Sequence, residues 1–431
     1  MDYEEAIDWL YSFEKQGIKL GLERIKYLCD KLGNPQNNYK IVHVGGTNGK
    51  GSVCRFISSI LTSEGYTVGV YTSPHIERFS ERFVIDNDEI SEIEIILLID
   101  EVKPIVEEMI QKGDTPTFFE VVTAMAFLYF YDKKVDYAII EVGLGGRFDA
   151  TNIIEPLASV ITNVSLEHQD RLGNTIEDIA FEKAGIIKEN TPVVTAAKDS
   201  ALKVIKKVAN GKNASLHLVS PDSWKRTGAN VSRQSFIFHG ELKDYEVETK
   251  ISGLYQGENI ALAISCIESL QMNGVFITDE NIAEGIKKTE NPGRMEMVST
   301  KPTILLDGAH NVEGIKNLRK TLENDFEFDR LILVIGILND KNYVEMLEEI
   351  VPICDLIITT KSSNKRSCNP FNLKKEIEYI DYKKSVIPME NINKAVLLSK
   401  SKAGLKDIVC ICGSLYLVGE ARSFLQEIID F

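Results

Sequence analysis

Tyr39-Lys-Ile-Val-His-Val-Gly-Gly-Thr-Asn-Gly-Lys50-Gly-Ser-Val53 is the stretch on which the reading of this chain turns. It runs from a short apolar strand through a glycine-rich loop into an amphipathic helix. The helix follows from Val53, Phe56, Ile57, Ile60 and Leu61, which recur at i, i+3, i+4, i+7 and i+8. A glycine-rich turn in that setting gathers backbone N–H groups around an anion at the positive end of the helix. Lys50 would reach the outer phosphates of a nucleotide, and a hydroxyl just beyond it would serve magnesium. Thr47, Asn48, Gly49, Lys50, Gly51 and Ser52 are therefore the predicted phosphate-loop contacts of ATP, with Mg²⁺ as its companion. The loop is irregular. Gly51 occupies the usual hydroxyl position, the hydroxyl is displaced to Ser52, and Val44 stands where a first glycine is usual. The competing reading is an ordinary strand-to-helix turn. The order of strand, loop, lysine and helix favours a nucleotide site.

Composition sets the frame. The 431 residues imply two or three domains and a large core. Basic residues number 49 against 64 acidic, a formal charge of −15, which argues against a nucleic-acid partner but not against a small anion. The seven cysteines are scattered without zinc or redox spacing and read as reduced thiols of a cytoplasmic protein. The N-terminus lacks a signal-peptide pattern, and no apolar run suits a bilayer, so no membrane association is expected.

Along the chain, strands and helices alternate in the rhythm of parallel sheets with helical crossovers. After an N-terminal helix over 2–14 and a second ending near Gly33, strands are expected at 67–71, 136–142, 158–163 and 192–196. Helices are expected over 91–112 and 118–131. From 214 to 252 short alternating strands suggest a separate β subregion at the domain's edge. Thr289-Glu-Asn-Pro-Gly-Arg-Met295 reads as a linker, and strands at 303–307, 331–335, 356–359 and 407–412 make a second α/β domain. The expected fold is thus α/β: a P-loop NTPase-like N-terminal domain with a mainly parallel sheet, 1–293, and a Rossmann-like α/β C-terminal domain, 294–431.

A phosphate loop alone names no reaction. Glu141, at the end of a buried strand, suits magnesium ligation better than a solvated strand end, because it follows Tyr-Ala-Ile-Ile directly. Ser52 and Ser73 offer hydroxyls at the same sheet edge, where ligands of open α/β sheets bind, and His168 lies beyond the next strand. Lys183 reads as a surface lysine. Arg294, Asp307 and His310 follow the linker; they could meet phosphate and ribose, or be a linker arginine and a capping aspartate. No nucleophile elbow or zinc-protease motif occurs, and Gly143-Leu-Gly-Gly lacks the third glycine of a dinucleotide fingerprint.

Seven motifs together resemble one family. Gly46-Thr-Asn-Gly-Lys-Gly-Ser52, Tyr71-Thr-Ser-Pro-His75, Glu141-Val-Gly-Leu-Gly-Gly-Arg-Phe-Asp-Ala-Thr-Asn152, Leu166-Glu-His168, Glu182-Lys-Ala-Gly-Ile186, Pro292-Gly-Arg-Met-Glu296 and Asp307-Gly-Ala-His-Asn311 look like the series of folylpolyglutamate synthase/dihydrofolate synthase, in the Mur ligase superfamily. The resemblance runs over nearly the whole chain, and the displaced hydroxyl is that family's own variant. It implies an ATP-dependent ligase in which dihydropteroate, or the γ-carboxylate of a folate, is phosphorylated and then attacked by L-glutamate. It implies Ser52, Ser73, Glu141 and His168 around magnesium, and Lys50, Glu141, His168 and Lys183 as the catalytic set. Lys183 matches a lysine that the family carbamylates. Asn259, Arg294, Asp307 and His310 match its ATP contacts. Ile18, Lys19, Leu20, Thr117, Phe118, Phe119, Glu120, Phe148, Asp149 and Ala150 match its pterin-binding stretches. Ser414 is a candidate for a glutamate site expected between the domains. The family likeness also suggests a monomer. Only about 45 residues precede the loop, too few for a further domain of ~100 residues, which sets the expectation against a UDP-muramyl substrate. The rival readings are a cell-wall amino-acid ligase with a shortened front and a nucleotide-binding regulator without catalysis. Lys50, Glu141 and His168 speak against the second.

Overall fold

The computed structural model describes residues 2–17, 19–230 and 233–429. The chain divides into two compact units, one of 1–225, 237–247 and 257–289, the other of 226–236, 248–256 and 290–431.

The first unit is built on eight strands: β1 (Lys40–Gly45), β2 (Val68–Tyr71), β3 (Phe83–Ile85), β4 (Asp88–Glu89), β5 (Tyr137–Glu141), β6 (Ala158–Ile161), β7 (Val193–Thr195) and β8 (Leu216–Leu218). Their order is β4-β3-β2-β5-β1-β6-β7-β8. The six strands from β2 to β8 in that order run parallel, and β3 and β4 form an antiparallel edge. β1 is central, and all of it beyond Lys40 is buried. Its run Ile-Val-His-Val is nearly continuous in apolar character because helices cover both faces of such a sheet. The register sets Val44 beside Glu141 on one side and Val160 on the other.

The helix Phe118–Asp132 has buried residues around nearly its whole circumference. Such a helix belongs in a core rather than on a surface. A capping box starts it: the Glu120 amide donates to Thr117 Oγ1 at 3.2 Å, and the Thr117 amide to Glu120 Oε2 at 2.7 Å. Phe130 lies against Gly69 of β2, where an added Cβ would come within 2.6–2.9 Å of the ring.

Three further strands, β9 (Trp224–Asn230), β10 (Arg233–His239) and β11 (Asp244–Thr249), form a small sheet. The alternation that begins near 214 predicts such a subregion from that point on. The structure instead adds β8 to the main sheet, parallel to β7. As an edge strand with only His217 buried, β8 alternates just as the hairpin strands do.

The second unit carries β12 (Glu296–Thr300), β13 (Thr303–Asp307), β14 (Leu331–Ile335), β15 (Leu356–Thr359), β16 (Ser385–Pro388) and β17 (Ile408–Cys412), in the order β12-β13-β17-β14-β15-β16. All pairs are parallel except β12 with β13. Alternate residues of β13 enter different cores, Leu305 one and Ile304 and Leu306 the other. Both faces are therefore covered, which is the Rossmann-like α/β arrangement expected. The edge strands β3, β4, β12 and β16 had no clear sequence signature; they are short or only partly buried. Among the described residues no helix is long and apolar enough to cross a membrane.

Gly69→Ala is expected to destabilise the first unit by about 1–3 kcal/mol through overpacking against Phe130. A lowered urea midpoint followed by tryptophan fluorescence and circular dichroism checks this, and an unchanged midpoint refutes it.

Candidate active site

The order β2-β5-β1-β6 brings four loops side by side at the C-terminal edge of the first sheet. They carry Ser73, Glu141, the glycine-rich loop, and the segment from Thr162 to His168.

The glycine-rich loop is held in shape by its neighbours. Gly46 has φ +134 and Gly49 φ +85, backbone regions that favour glycine. Space demands the same residue. A Cβ on Gly46 would lie 1.9 Å from Thr162 Oγ1, and one on Gly49 would lie 2.3 Å from Asn259 Oδ1. The loop after β6 clasps it with hydrogen bonds: the Thr47 amide donates to the Asn163 carbonyl at 2.9 Å, the Asn48 amide to Asn163 Oδ1 at 2.9 Å, and Thr162 Oγ1 to the Asn48 carbonyl at 2.6 Å. The helix Lys50–Ser63 then begins without a side-chain cap, with Ser52 buried in its first turn. Such a terminus offers its first amides to an anion.

Charge gathers around that terminus. Lys50 Nζ donates to the Thr47 carbonyl at 3.2 Å and lies 4.0 Å from Glu141 Oε1. Glu141, 5% exposed, accepts the Ser73 amide at 3.2 Å through Oε2. The structure thus brings together Lys50, Glu141 and Ser73. Beyond Ser73, the Glu81 carboxylate accepts the amides of Ile76, Glu77 and Arg78 at 2.6, 2.9 and 2.8 Å and fixes the loop.

Lys183 is not the surface lysine that its sequence context suggested. It is 1% exposed, donating to the Gly46 carbonyl at 2.9 Å and to Glu167 Oε1 at 2.6 Å. Its helix, Ile176–Ala184, turns it inward toward the glycine-rich loop. Burial lowers the Lys183 ammonium below its ordinary range, against the pull of Glu167. Burial also pushes the Glu167 carboxyl up, but Lys183 and Lys50 outweigh it and hold that group at about 2. His168, next to Glu167, adopts a left-handed conformation at the start of the helix Gln169–Leu172. Among the described residues no group of three or more His, Cys, Asp or Glu gathers as a metal cluster.

Beside these groups lies a cavity of about 400 Å³. Lys19, Leu20, Thr117, Phe118, Phe119, Glu120, Phe148, Asp149 and Ala150 all line it, together with Ser73, Arg82 and Arg147. Ile18 lies outside the described residues. Asp149 is buried and shapes the wall: Oδ1 accepts the Thr151 amide at 3.0 Å and its hydroxyl at 2.5 Å, and Oδ2 accepts the Leu144 amide at 2.8 Å. Desolvation raises its carboxyl above the usual range, against these hydrogen bonds. Since the Thr151 hydroxyl donates to Asp149, His43 Nε2–H must donate to Thr151 Oγ1, at 2.8 Å. Burial takes His43 down to about 3, so the ring is neutral.

In the second unit Asp307 accepts the Ala309 amide at 2.8 Å and the Met295 amide at 3.0 Å, and so ties the segment around Arg294 to the end of β13. Burial raises its carboxyl, and Arg294 opposes the rise. His310 donates from Nδ1 to the Gly308 carbonyl at 2.8 Å. The Ser414 hydroxyl, beyond β17, is buried with no hydrogen-bond partner among the described residues, and so is that of Thr360 beyond β15.

The Mur ligase middle domain matches residues 44–267, and the Mur ligase glutamate ligase domain matches 293–415. The dihydrofolate synthase/folylpolyglutamate synthase of Bacillus subtilis is 40% identical, over 98% of this chain and 99% of its own. The chain belongs to this family of Mur ligases. The Mycobacterium tuberculosis folylpolyglutamate synthase complexed with ADP and AMPPCP shares the fold with a TM-score of 0.91 at 30% identity, over 98% of this chain and 99% of its own. The E. coli FolC structure in complex with DHPP and ADP superposes with a TM-score of 0.86 at 28% identity, over 99% and 97%.

Three residues beside these groups, Asn163, Glu167 and Arg82, carry no signal of a role in the sequence. Glu167 stood inside a quoted motif, but its role depends on a lysine sixteen positions on. Asn163 is an ordinary strand-end asparagine until its two contacts with the loop are seen.

Two expectations follow from this geometry. Gly49→Ala should weaken ADP binding by at least about tenfold, since a left-handed alanine alone costs about 1–2 kcal/mol; calorimetric titration with ADP checks it, and unaltered affinity refutes it. Glu167→Gln strands a buried ammonium and should destabilise by about 3–5 kcal/mol near neutral pH. A group held low when folded stabilises above its unfolded value, so this difference should narrow as pH falls below about 4.3. Denaturant titrations of both proteins across that range are the check.

Proposed function

We propose that this ligase uses ATP to join L-glutamate to dihydropteroate and to the γ-carboxylate of folates, with Mg²⁺, through an acyl phosphate. One observation carries the reading: an apolar and aromatic cavity reaches Ser73, whose amide is bonded to Glu141, which in turn lies beside Lys50 of a phosphate loop. A ring system can lie in the cavity while its carboxylate meets a phosphoryl group.

Carboxylates are poor electrophiles. Phosphorylation supplies a leaving group, and its transfer asks mainly for positioning and charge stabilisation. The backbone of Thr47 to Ser52 and the Lys50 ammonium hold the phosphates, with Asn259 against Gly49. The pterin lies among Phe118, Phe119, Phe148 and the walls fixed by Thr117, Glu120, Asp149 and Ala150, with Lys19 and Leu20 along the same cavity. Its carboxylate oxygen attacks the γ-phosphorus and ADP leaves. The amine of glutamate then attacks the acyl carbon, and phosphate leaves.

Hydroxyl and carboxylate oxygens suit Mg²⁺, which commonly takes one or two protein carboxylates and completes its shell with phosphates and water. Ser52, Ser73, Glu141 and His168 are the residues that would hold it, and it would neutralise phosphate charge there. Lys183 engages Glu167 as an ammonium in this structure. Its lowered basicity favours the neutral amine that carbamylation needs, and we assign it as the modified lysine. We assign Arg294, Asp307 and His310 to nucleotide binding and the unpartnered Ser414 hydroxyl to glutamate. We place the domain division at 293/294, and the enzyme in the cytoplasm as a monomer. Its seven free, buried cysteines fit a reducing compartment.

ADP release that requires ATP, Mg²⁺, glutamate and either dihydropteroate or tetrahydrofolate is the expected activity. Lys50→Ala and Glu141→Ala should each lower its rate by at least about a hundredfold, the scale on which one positioned electrostatic group acts, without loss of folding. Near-normal turnover in either variant refutes the assignment.

A further inference from the structure

The cavity contains a cation that the reaction above leaves unused. Arg82 is 7% exposed and lines the cavity. Its Nε–H donates to His75 Nδ1 at 2.8 Å, and its guanidinium lies 6.0 Å from the Phe79 ring centre and 5.5 Å from that of Phe118. His75 accepts that bond through a ring-nitrogen lone pair, so this partner supplies no negative charge. No carboxylate among the described residues forms an ion pair with Arg82. The other arginines that line the cavity differ. Arg147 pairs with Glu182 at 3.3 Å and Arg171 with Asp170 at 3.2 Å. Lys19 is exposed and donates to the Thr115 carbonyl. A buried guanidinium without a counter-charge is costly unless a ligand supplies the anion.

The ligand's chemistry narrows that anion. The terminal glutamate of a folate bears two carboxylates. The γ group must attack phosphorus, and a guanidinium clamped on it would withdraw charge from the attacking oxygen. The α group does not react and is free to be held. Arg82 is well placed to hold it beside the reacting end, because its backbone carbonyl accepts the Thr72 amide at 3.3 Å, next to Ser73. The planar fork of an arginine also matches a carboxylate bidentately.

We propose that Arg82 binds the α-carboxylate of a folate's terminal glutamate and is the residue that favours glutamylated over unglutamylated pterins. This rests on the folate reading above. Dihydropteroate has a single carboxylate, the reacting one, and so gains nothing from Arg82 by this route.

The test is equilibrium binding, with ADP present, of tetrahydrofolate, its α-carboxamide and dihydropteroate to the wild type, Arg82→Gln and Arg82→Lys, with thermal melts of each. The wild type should prefer tetrahydrofolate to the α-carboxamide by at least about tenfold, the scale of one charged hydrogen-bonded pair. In Arg82→Gln that ratio should fall toward one, while dihydropteroate affinity falls by much less than that of tetrahydrofolate. Arg82→Lys should recover part of the ratio. Equal wild-type affinities for acid and amide overturn the proposal. So does a ratio that survives in Arg82→Gln, or a loss of dihydropteroate affinity as large as that of tetrahydrofolate. If Arg82→Gln does not fold, the wild-type ratio and the Lys variant decide. ADP release by the wild type is read separately: its absence with both pterins would defeat the ligase reading, whereas the acid-to-amide ratio reports on Arg82 alone.

Discussion

The position of β1 between β5 and β6 is the constraint on which the site depends. A phosphate loop needs its backbone, not its side chains, to face the ligand, and a loop of this kind has little stiffness of its own. Here the stiffness comes from the neighbouring strand. Asn163 accepts amides from both Thr47 and Asn48, and Thr162 returns a hydrogen bond to Asn48. The approach is so close that Gly46 has no room for a Cβ beside Thr162, and Asn259 leaves none on Gly49. The loop is therefore defined by what packs on it, and a strand order other than β5-β1-β6 would leave it without that clasp.

The same adjacency explains how opposite charges share a small volume. Glu141 is delivered by β5 to one side of the loop and Glu167 by the chain beyond β6 to the other. Each meets a lysine: Lys50 lies 4.0 Å from Glu141, and Lys183 lies 2.6 Å from Glu167. The two pairs are unequal. Lys183 is sealed in at 1% side-chain exposure, whereas Lys50 keeps 17%. The buried pair holds the loop through the Gly46 carbonyl and is costly to break. The more open pair is loose and can exchange partners.

Much of this was legible in the sequence, and the reasons differ by element. The parallel strands announce themselves because burial on both faces makes them short unbroken apolar runs, as in Tyr-Ala-Ile-Ile before Glu141. The expected stretches that line the cavity came from family likeness rather than from pattern. Thr117 and Glu120 show why pattern alone fails there: their visible role is a capping box, and only the fold turns that helix start toward a cavity. Lys183 misled for a similar reason, since Phe-Glu-Lys-Ala-Gly gives no sign of which helix face is inward. β8 was assigned to the wrong sheet because an edge strand and a hairpin strand alternate alike. Arg82 had no signature at all. A buried arginine is meaningful only once its surroundings are known to lack an acid.

The balance of charge bears on how an anionic substrate can enter a chain of net charge −15. Long-range attraction is not available, because exposed charges are screened within about 8–10 Å at ordinary ionic strength. Affinity must come from local groups whose present partners are weak. Lys50 meets that requirement: it holds one backbone carbonyl at 3.2 Å and stands 4.0 Å from a carboxylate. Giving up a neutral hydrogen bond of this kind costs about 1 kcal/mol net. A phosphate would replace it with a charge-assisted bond roughly twice as strong. Lys183 does not meet the requirement, because leaving Glu167 would strand two buried charges. The division of labour between the two lysines thus follows from burial: the partly exposed one exchanges partners with the substrate, and the sealed one, as the unmodified ammonium, keeps the loop in place.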